Sequence, residues 1–178
     1  PNGVRADKLN LNLLKEMKES GCSSLKIGIE SGNQKFLNNV VGKALDLKKV
    51  VNAAYLCRKL NIPLVGFFII GMPGETKNDI METVNFAVML KKKYDMDSVM
   101  HIAMPLAGTR MYGVCEKNNY LIEDENPSNF LGNQELMIKT EEFDPVFLRK
   151  ARKAYYNKFL KLQIFWLIKN PRKLFRYL

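Results

Sequence analysis

The sequence predicts an α/β protein built on a parallel sheet, and three observations carry that reading. Strand-like apolar runs alternate with stretches of helical periodicity from Lys8 to Lys117. One run, Leu64-Val65-Gly66-Phe67-Phe68-Ile69-Ile70, is apolar without a break, as suits a strand buried on both faces. Each run also ends in a glycine-bearing phrase: Gly28-Ile29-Glu30-Ser31-Gly32, Gly71-Met72-Pro73-Gly74-Glu75-Thr76 and Pro105-Leu106-Ala107-Gly108-Thr109. In parallel α/β sheets, ligands gather at the carboxyl ends of strands, which is where these phrases fall.

Taken in order, the first element is a helix over Lys8–Ser20. Asp7 is its expected N-cap, Leu9, Leu13, Leu14 and Met17 its apolar stripe, and Gly21 its stop. A short strand, Ser24–Ile29, follows. Asp46 caps a helix over Leu47–Leu60 that turns Leu47, Val50, Val51, Ala54 and Cys57 to one side and ends at Asn61 and Pro63. After the strand Leu64–Ile70, Thr76 and Asp79 form a capping box for a helix reaching about Lys92, with Ile80, Val84, Ala87 and Val88 inward. The last strand is Ser98–Met104, and a short helix spans Arg110–Lys117. This βα alternation calls for right-handed crossovers. Residues 1–117 are thus the sheet domain and 118–143 a polar loop or linker. Asp144-Pro145 opens a basic, aromatic helix within 144–178 that runs to about Lys169 and breaks before Pro171.

Length and composition bound the function. With 178 residues, 47% hydrophobic and 26% charged, the chain suffices for one folded domain. No run of 18 uncharged apolar residues is present, so no membrane-spanning helix is expected. The start, Pro1-Asn2-Gly3-Val4-Arg5, is no signal peptide, and its lack of Met suggests a piece of a longer chain. Cys22, Cys57 and Cys115 are too far apart for a disulfide framework, a zinc site or an iron–sulfur motif and read as reduced, buried thiols, as expected of a cytoplasmic protein. The net charge of +10 sits entirely in the tail. Lysine and arginine balance aspartate and glutamate through Asp144, and ten basic residues with no acidic one follow. Charge therefore gives no support for nucleic-acid binding by the main body.

Glu30 and Ser31, at a strand end, suit the two hydroxyls of a ribose, with a helix-capping role for Ser31 as the alternative. The Gly66–Thr76 segment is neither a Walker loop nor a dinucleotide fingerprint. Gly71 and Gly74 permit a sharp turn or close approach, and Phe68 and Ile70, two apart, can form an apolar wall for a flat base. The extended phrase Pro105–Thr109 can offer backbone groups to a base edge. His101, the one histidine, reads as a core or barrel-lining residue. Cys115 has no activating partner in the sequence.

These phrases, in this order and roughly 35 to 40 residues apart, resemble the second half of the radical S-adenosylmethionine (SAM) domain over Lys8–Tyr112. The resemblance is to the broad group that includes the tRNA methylthiotransferases, oxygen-independent coproporphyrinogen oxidase and the cobalamin-dependent radical SAM enzymes. Ala6-Asp7, Gly28–Gly32, Leu37 with Lys43, Phe68–Thr76, and Pro105–Thr109 with Met111-Tyr112 carry it.

The resemblance implies the second half of a partial TIM-like (β/α)6 barrel. It implies Glu30 and Ser31 at the SAM ribose, and Lys43 or Arg5 at the methionine carboxylate. Phe68, Ile70 and Gly71 would line the adenine side, with Met104, Pro105 and Ala107 closing it. It further implies a 4Fe–4S cluster, cleavage of SAM to a 5′-deoxyadenosyl radical, and in some members cobalamin. The family's C-x3-C-x2-C triplet and Gly-Gly-Glu phrase are absent, and Leu106-Ala107 replaces a commoner Pro-Pro or Leu-Pro. The expectation is therefore a fragment beginning near the third strand, its cluster ligands elsewhere, inactive alone and acting on an unidentified substrate. Its natural partner would be the other half of its barrel, and an uncovered edge would make it self-associate as a dimer or higher oligomer. For the tail, three readings stay open: a helix packed by its aromatic side, an interfacial helix on anionic lipid that makes the protein peripheral to a membrane, or a nucleic-acid contact. A non-catalytic βα scaffold is the competing reading of the whole.

Overall fold

The computed structural model describes residues 3–122 and 138–169. Its centre is a sheet of three parallel strands in the order β1-β2-β3: β1 (Leu25–Glu30), β2 (Leu64–Ile70) and β3 (Asp97–Ile102). Val4 adds a parallel bridge to Ile27 on the outer side of β1. The helices are α1 (Leu11–Glu19), α2 (Gln34–Phe36), α3 (Leu47–Lys59), α4 (Lys77–Tyr94), α5 (Arg110–Lys117) and α6 (Pro145–Lys169).

Local chemistry explains most boundaries. The Asp46 carboxylate accepts from Lys48 N, and Thr76 with Asp79 forms a complete capping box. Asp144 Oδ1 accepts from Phe147 N at 2.7 Å, with Pro145 as the first helical residue. The first helix departs from the sequence reading. Ala6–Lys8 is a separate 3-10 turn, and α1 begins at Leu11 with Asn10 as its cap. Asp7 is not free to cap because Arg5 engages both its oxygens, at 2.9 and 3.1 Å.

Strand alternation divides the sheet into two faces. Ile27, Ile29, Phe68, Ile70, Met100 and Ile102 point to the helices and are buried. Phe68 meets Phe86 of α4 edge-on at 6.4 Å. Burial of such a side chain is worth about 1.5–3 kcal/mol relative to exposure. The other face carries Lys26, Gly28 and Glu30 from β1, Val65, Phe67 and Ile69 from β2, and Val99 and His101 from β3, none of them fully buried.

α6 lies along α4, running in the same sense. Lys77 stands over the Phe147 ring at 5.7 Å and Lys91 over the Phe159 ring at 5.1 Å. Leu148, Ala151 and Tyr155 are buried. The Tyr155 hydroxyl donates to Ser98 O at 2.6 Å, and burial pushes its pKa up to about 12. The first half of the tail is therefore a packed helix. Both described ends of 118–143 also join the folded body. Leu121 bridges Ile138 antiparallel, and Ile138 and Phe143 are buried. The middle of that stretch and the expected break at Pro171 lie outside the described residues.

Candidate functional site

The open face ends, at the carboxyl edge of β1, in an ion pair. Lys43 Nζ lies 2.9 Å from Glu30 Oε1, and the two side chains are 22% and 24% exposed. The same ammonium donates to Gly28 O at 2.9 Å. Two irregularities bring these groups together. The β1–β2 register shifts between Gly28 and Glu30, and Glu30 takes a left-handed conformation with φ 72°. After α2, Leu37–Val41 forms a π turn closed by Gly42 at φ 66°, and Lys43 N donates back to Leu37 O at 3.1 Å. The chain thus doubles back and lays Lys43 over β1. Gly28 leaves room beneath the pair: a Cβ there would sit 2.9 Å from Glu30 Oε1 and 3.1 Å from Lys43 Nζ, so the ends of both side chains would have to shift.

Arg5 joins this corner. Its guanidinium donates to Ala44 O at 2.8 Å, next to Lys43, and its bonds to Asp7 hold that carboxyl below the usual range. Along the open face, Phe67 and His101 stack with ring centroids 6.1 Å apart and planes at 29°, and Ile69 pairs in register with His101. The result is a polar corner of both charge signs beside a flat, partly apolar wall.

The structure therefore brings together Arg5, Glu30 and Lys43 from the sequence-derived set and places the others apart from them. Ser31 is fully buried. Its Oγ lies 3.0 Å from Thr83 Oγ1 and accepts from Asn33 N at 3.1 Å, so it serves as a turn cap and an anchor to α4. Phe68 and Ile70 face the helices, and the side of β2 facing the open surface carries Phe67 and Ile69. Gly71 is buried under α6, where a Cβ would meet Leu148 Cδ1 at 2.7 Å. Met104 is half-buried, Pro105 buried and Ala107 exposed beyond the end of β3.

Phe67, Ile69 and Glu75 were not singled out from the sequence. A signal for the first two exists. Lys26 and Glu30 mark the polar side of β1, and the parallel register carries that parity to Val65 and Phe67. Glu75 is 1% exposed, and its Oε2 accepts from Gly71 N at 2.6 Å and Met72 N at 2.8 Å. Burial dominates and pushes its pKa up to about 8, against those two hydrogen bonds. Its Oε1 has no hydrogen-bond partner among the described residues. Glu75 thus holds the Gly-Met-Pro-Gly turn in shape from within.

No cluster of three or more His, Cys, Asp or Glu side chains forms a metal site among the described residues. Cys57 and Cys115 are buried, with burial raising both thiol pKa values, and Cys22 is half-buried.

A three-stranded parallel βα sheet with helices packed on one face defines a segment of the α/β barrel class. The Radical SAM superfamily model matches residues 1–87. The chain is 34% identical over 119 residues to an uncharacterized methyltransferase of Pyrococcus horikoshii, a match covering 66% of this chain and 25% of that protein. It is 26% identical over 132 residues to cytidylyl-2-hydroxyethylphosphonate methyltransferase of Streptomyces wedmorensis, covering 71% and 24%. A similar solved structure is the radical S-adenosylmethionine methyltransferase TsrM from Kitasatospora setae, with cobalamin and a [4Fe-4S] cluster bound. The TM-score is 0.55 at 17% identity over 87% of this chain and 29% of that one, a likeness of fold. Over its first 87 residues the chain thus matches the radical SAM superfamily, a family of enzymes. It spans about a quarter of the length of these two curated relatives.

Proposed function

We propose that this chain supplies the SAM-binding wall of a radical SAM methyltransferase. The observation that carries the reading is the Gly28–Glu30–Lys43 cradle with Arg5 beside it. SAM offers two ribose hydroxyls, an amino-acid end with both charges, and a flat adenine. The residues present fit that set. Glu30 can accept from the hydroxyls, Lys43 or Arg5 can pair with the carboxylate, and Phe67, Ile69 and His101 can lie against the base.

The described residues do not fit a 4Fe–4S cluster, for want of any grouped ligands. In this reading the cluster is held by a segment outside the described chain, and cobalamin, named in the TsrM structure, would also bind elsewhere. Bound SAM would supply a sulfonium whose methyl can pass to a nucleophile, leaving a thioether, or whose C5′–S bond can be broken by one electron. What this chain does is bind and orient: Lys43 fixes the carboxylate, Glu30 the ribose, and the apolar wall excludes water from the base. The methyl acceptor and the reaction proper belong to the whole protein, and the chain alone is inactive. The exposed strand edge at Val4 is where the remaining barrel strands add, or where a second copy pairs in their absence.

The test is titration of the isotopically labelled chain with SAM, read by amide and methyl resonances. Perturbations centred on Gly28, Glu30, Lys43 and Phe67, and abolished by Glu30→Gln, are expected. Perturbations centred on Ser31 and Phe68, or none in the presence of the complementing barrel half, would overturn the reading.

A further inference from the structure

α6 is two helices in one. Up to Phe159 its inward side chains complete the core. Beyond that point apolar residues emerge on the outer surface: Leu160 is 56% exposed, Ile164 49% and Ile168 72%. With Tyr156, 43% exposed, they follow at four-residue spacing and form one continuous ridge. The folded body does not use this ridge.

Charge identifies what covers it. From Pro145 to Lys169 the helix has seven lysines and arginines and no aspartate or glutamate. Lys153 and Lys161 fall on the neighbouring helical ridge, so ammonium groups flank the apolar line. A second copy would bring seven further positive charges against these. A nucleic acid would match the charge, but Leu160, Ile164 and Ile168 are aliphatic and leave Tyr156 as the one aromatic of the ridge on which a base could stack. An anionic bilayer surface meets both demands, because acyl chains take the ridge and phosphates take the lysines. No helix among the described residues is long and apolar enough to cross a membrane, so the contact lies in the interface plane. We propose that the second half of α6 docks the protein onto an anionic lipid surface.

The experiment is co-sedimentation of the full chain with vesicles of phosphatidylcholine alone or with about a third phosphatidylglycerol. Binding only to the anionic vesicles is expected, weakened by salt. Ile164→Glu should weaken it roughly tenfold, and Lys153→Gln with Lys161→Gln by a similar factor. All three positions are outside the core, so unchanged thermal melting should accompany the loss. Equal binding to neutral vesicles, no binding, or binding indifferent to Ile164→Glu overturns the proposal. So does a dimer that Ile164→Glu dissociates while vesicle binding persists. Binding to random-sequence RNA without binding to vesicles would assign the charge to nucleic acid instead.

Discussion

Phe68 is fully buried against α4, whereas Phe67, one residue earlier, stands half-buried beside His101 on the opposite face of the same strand. The helix-covered face is continuous hydrocarbon, with Ser31 and Thr83 satisfying each other within it. The open face mixes charge, an imidazole and aromatic surface. One face holds the fold together and the other is free to be chemical. The difference sets which substitutions should unfold the protein and which should only blunt it.

The largest expected effect is on the covered face. Phe68→Ala should cost about 3–5 kcal/mol in chemical denaturation, since the void cannot collapse between a strand and α4. Phe67→Ala should cost well under half of that, and equal costs would erase the distinction between the faces. Glu75 offers a pH test. Its pKa is raised from 4.5 to about 8 in the folded state. Between those values the folded protein keeps a proton that the unfolded chain has released, so stability should fall as pH rises through that window. We expect a melting temperature roughly 5 °C or more lower at the alkaline end. Glu75→Gln, whose amide oxygen can accept the same two backbone N–H groups, should flatten the profile. A wild-type curve that rises with pH would refute this.

Gly71→Ala should cost about 1–3 kcal/mol, from a φ of 86° and from crowding Leu148. A smaller cost of Gly71→Ala in a Leu148→Ala background than in the wild type would show that crowding under α6 is part of the cause. Tyr155→Phe should cost about 1–2 kcal/mol by leaving Ser98 O short of a donor. Smallest in stability is Glu30→Gln, below about 1 kcal/mol for a partly exposed pair. Its signature should appear in SAM titration, where Phe68→Ala, refolded by a stabilising osmolyte, should bind normally.

Much of this architecture was legible because it is written in local chemistry. Thr76 and Asp79, Asp46, and Asp144-Pro145 mark helix starts through side-chain bonds to nearby backbone, and α5 begins just after Thr109. What was not legible depends on partners far along the chain. Asp7 looked like a cap because its pairing to Arg5 competes invisibly. Ser31 looked like a ligand residue because Thr83, which faces it, is 52 positions away. The unbroken run Gly66–Ile70 hides which residues face which way, and an error of one residue moves the proposed wall to the wrong side. Glu30 and Lys43 were readable as polar residues near a strand end, but their meeting depends on the π turn at Leu37–Val41.

The Glu30–Lys43 pair has a consequence for selectivity. Before any ligand arrives, each charge is already neutralised by the other. A simple anion would have to displace the carboxylate and leave it stranded, and a simple cation would strand the ammonium. A ligand that brings a carboxylate to Lys43 and hydroxyl donors to Glu30, as proposed for SAM, gives each group a new partner and strands neither. Because the protein's own pair is neutral before binding, no excess of charge draws the ligand in from a distance, so capture should vary less with ionic strength than the contact proposed for the distant end of α6.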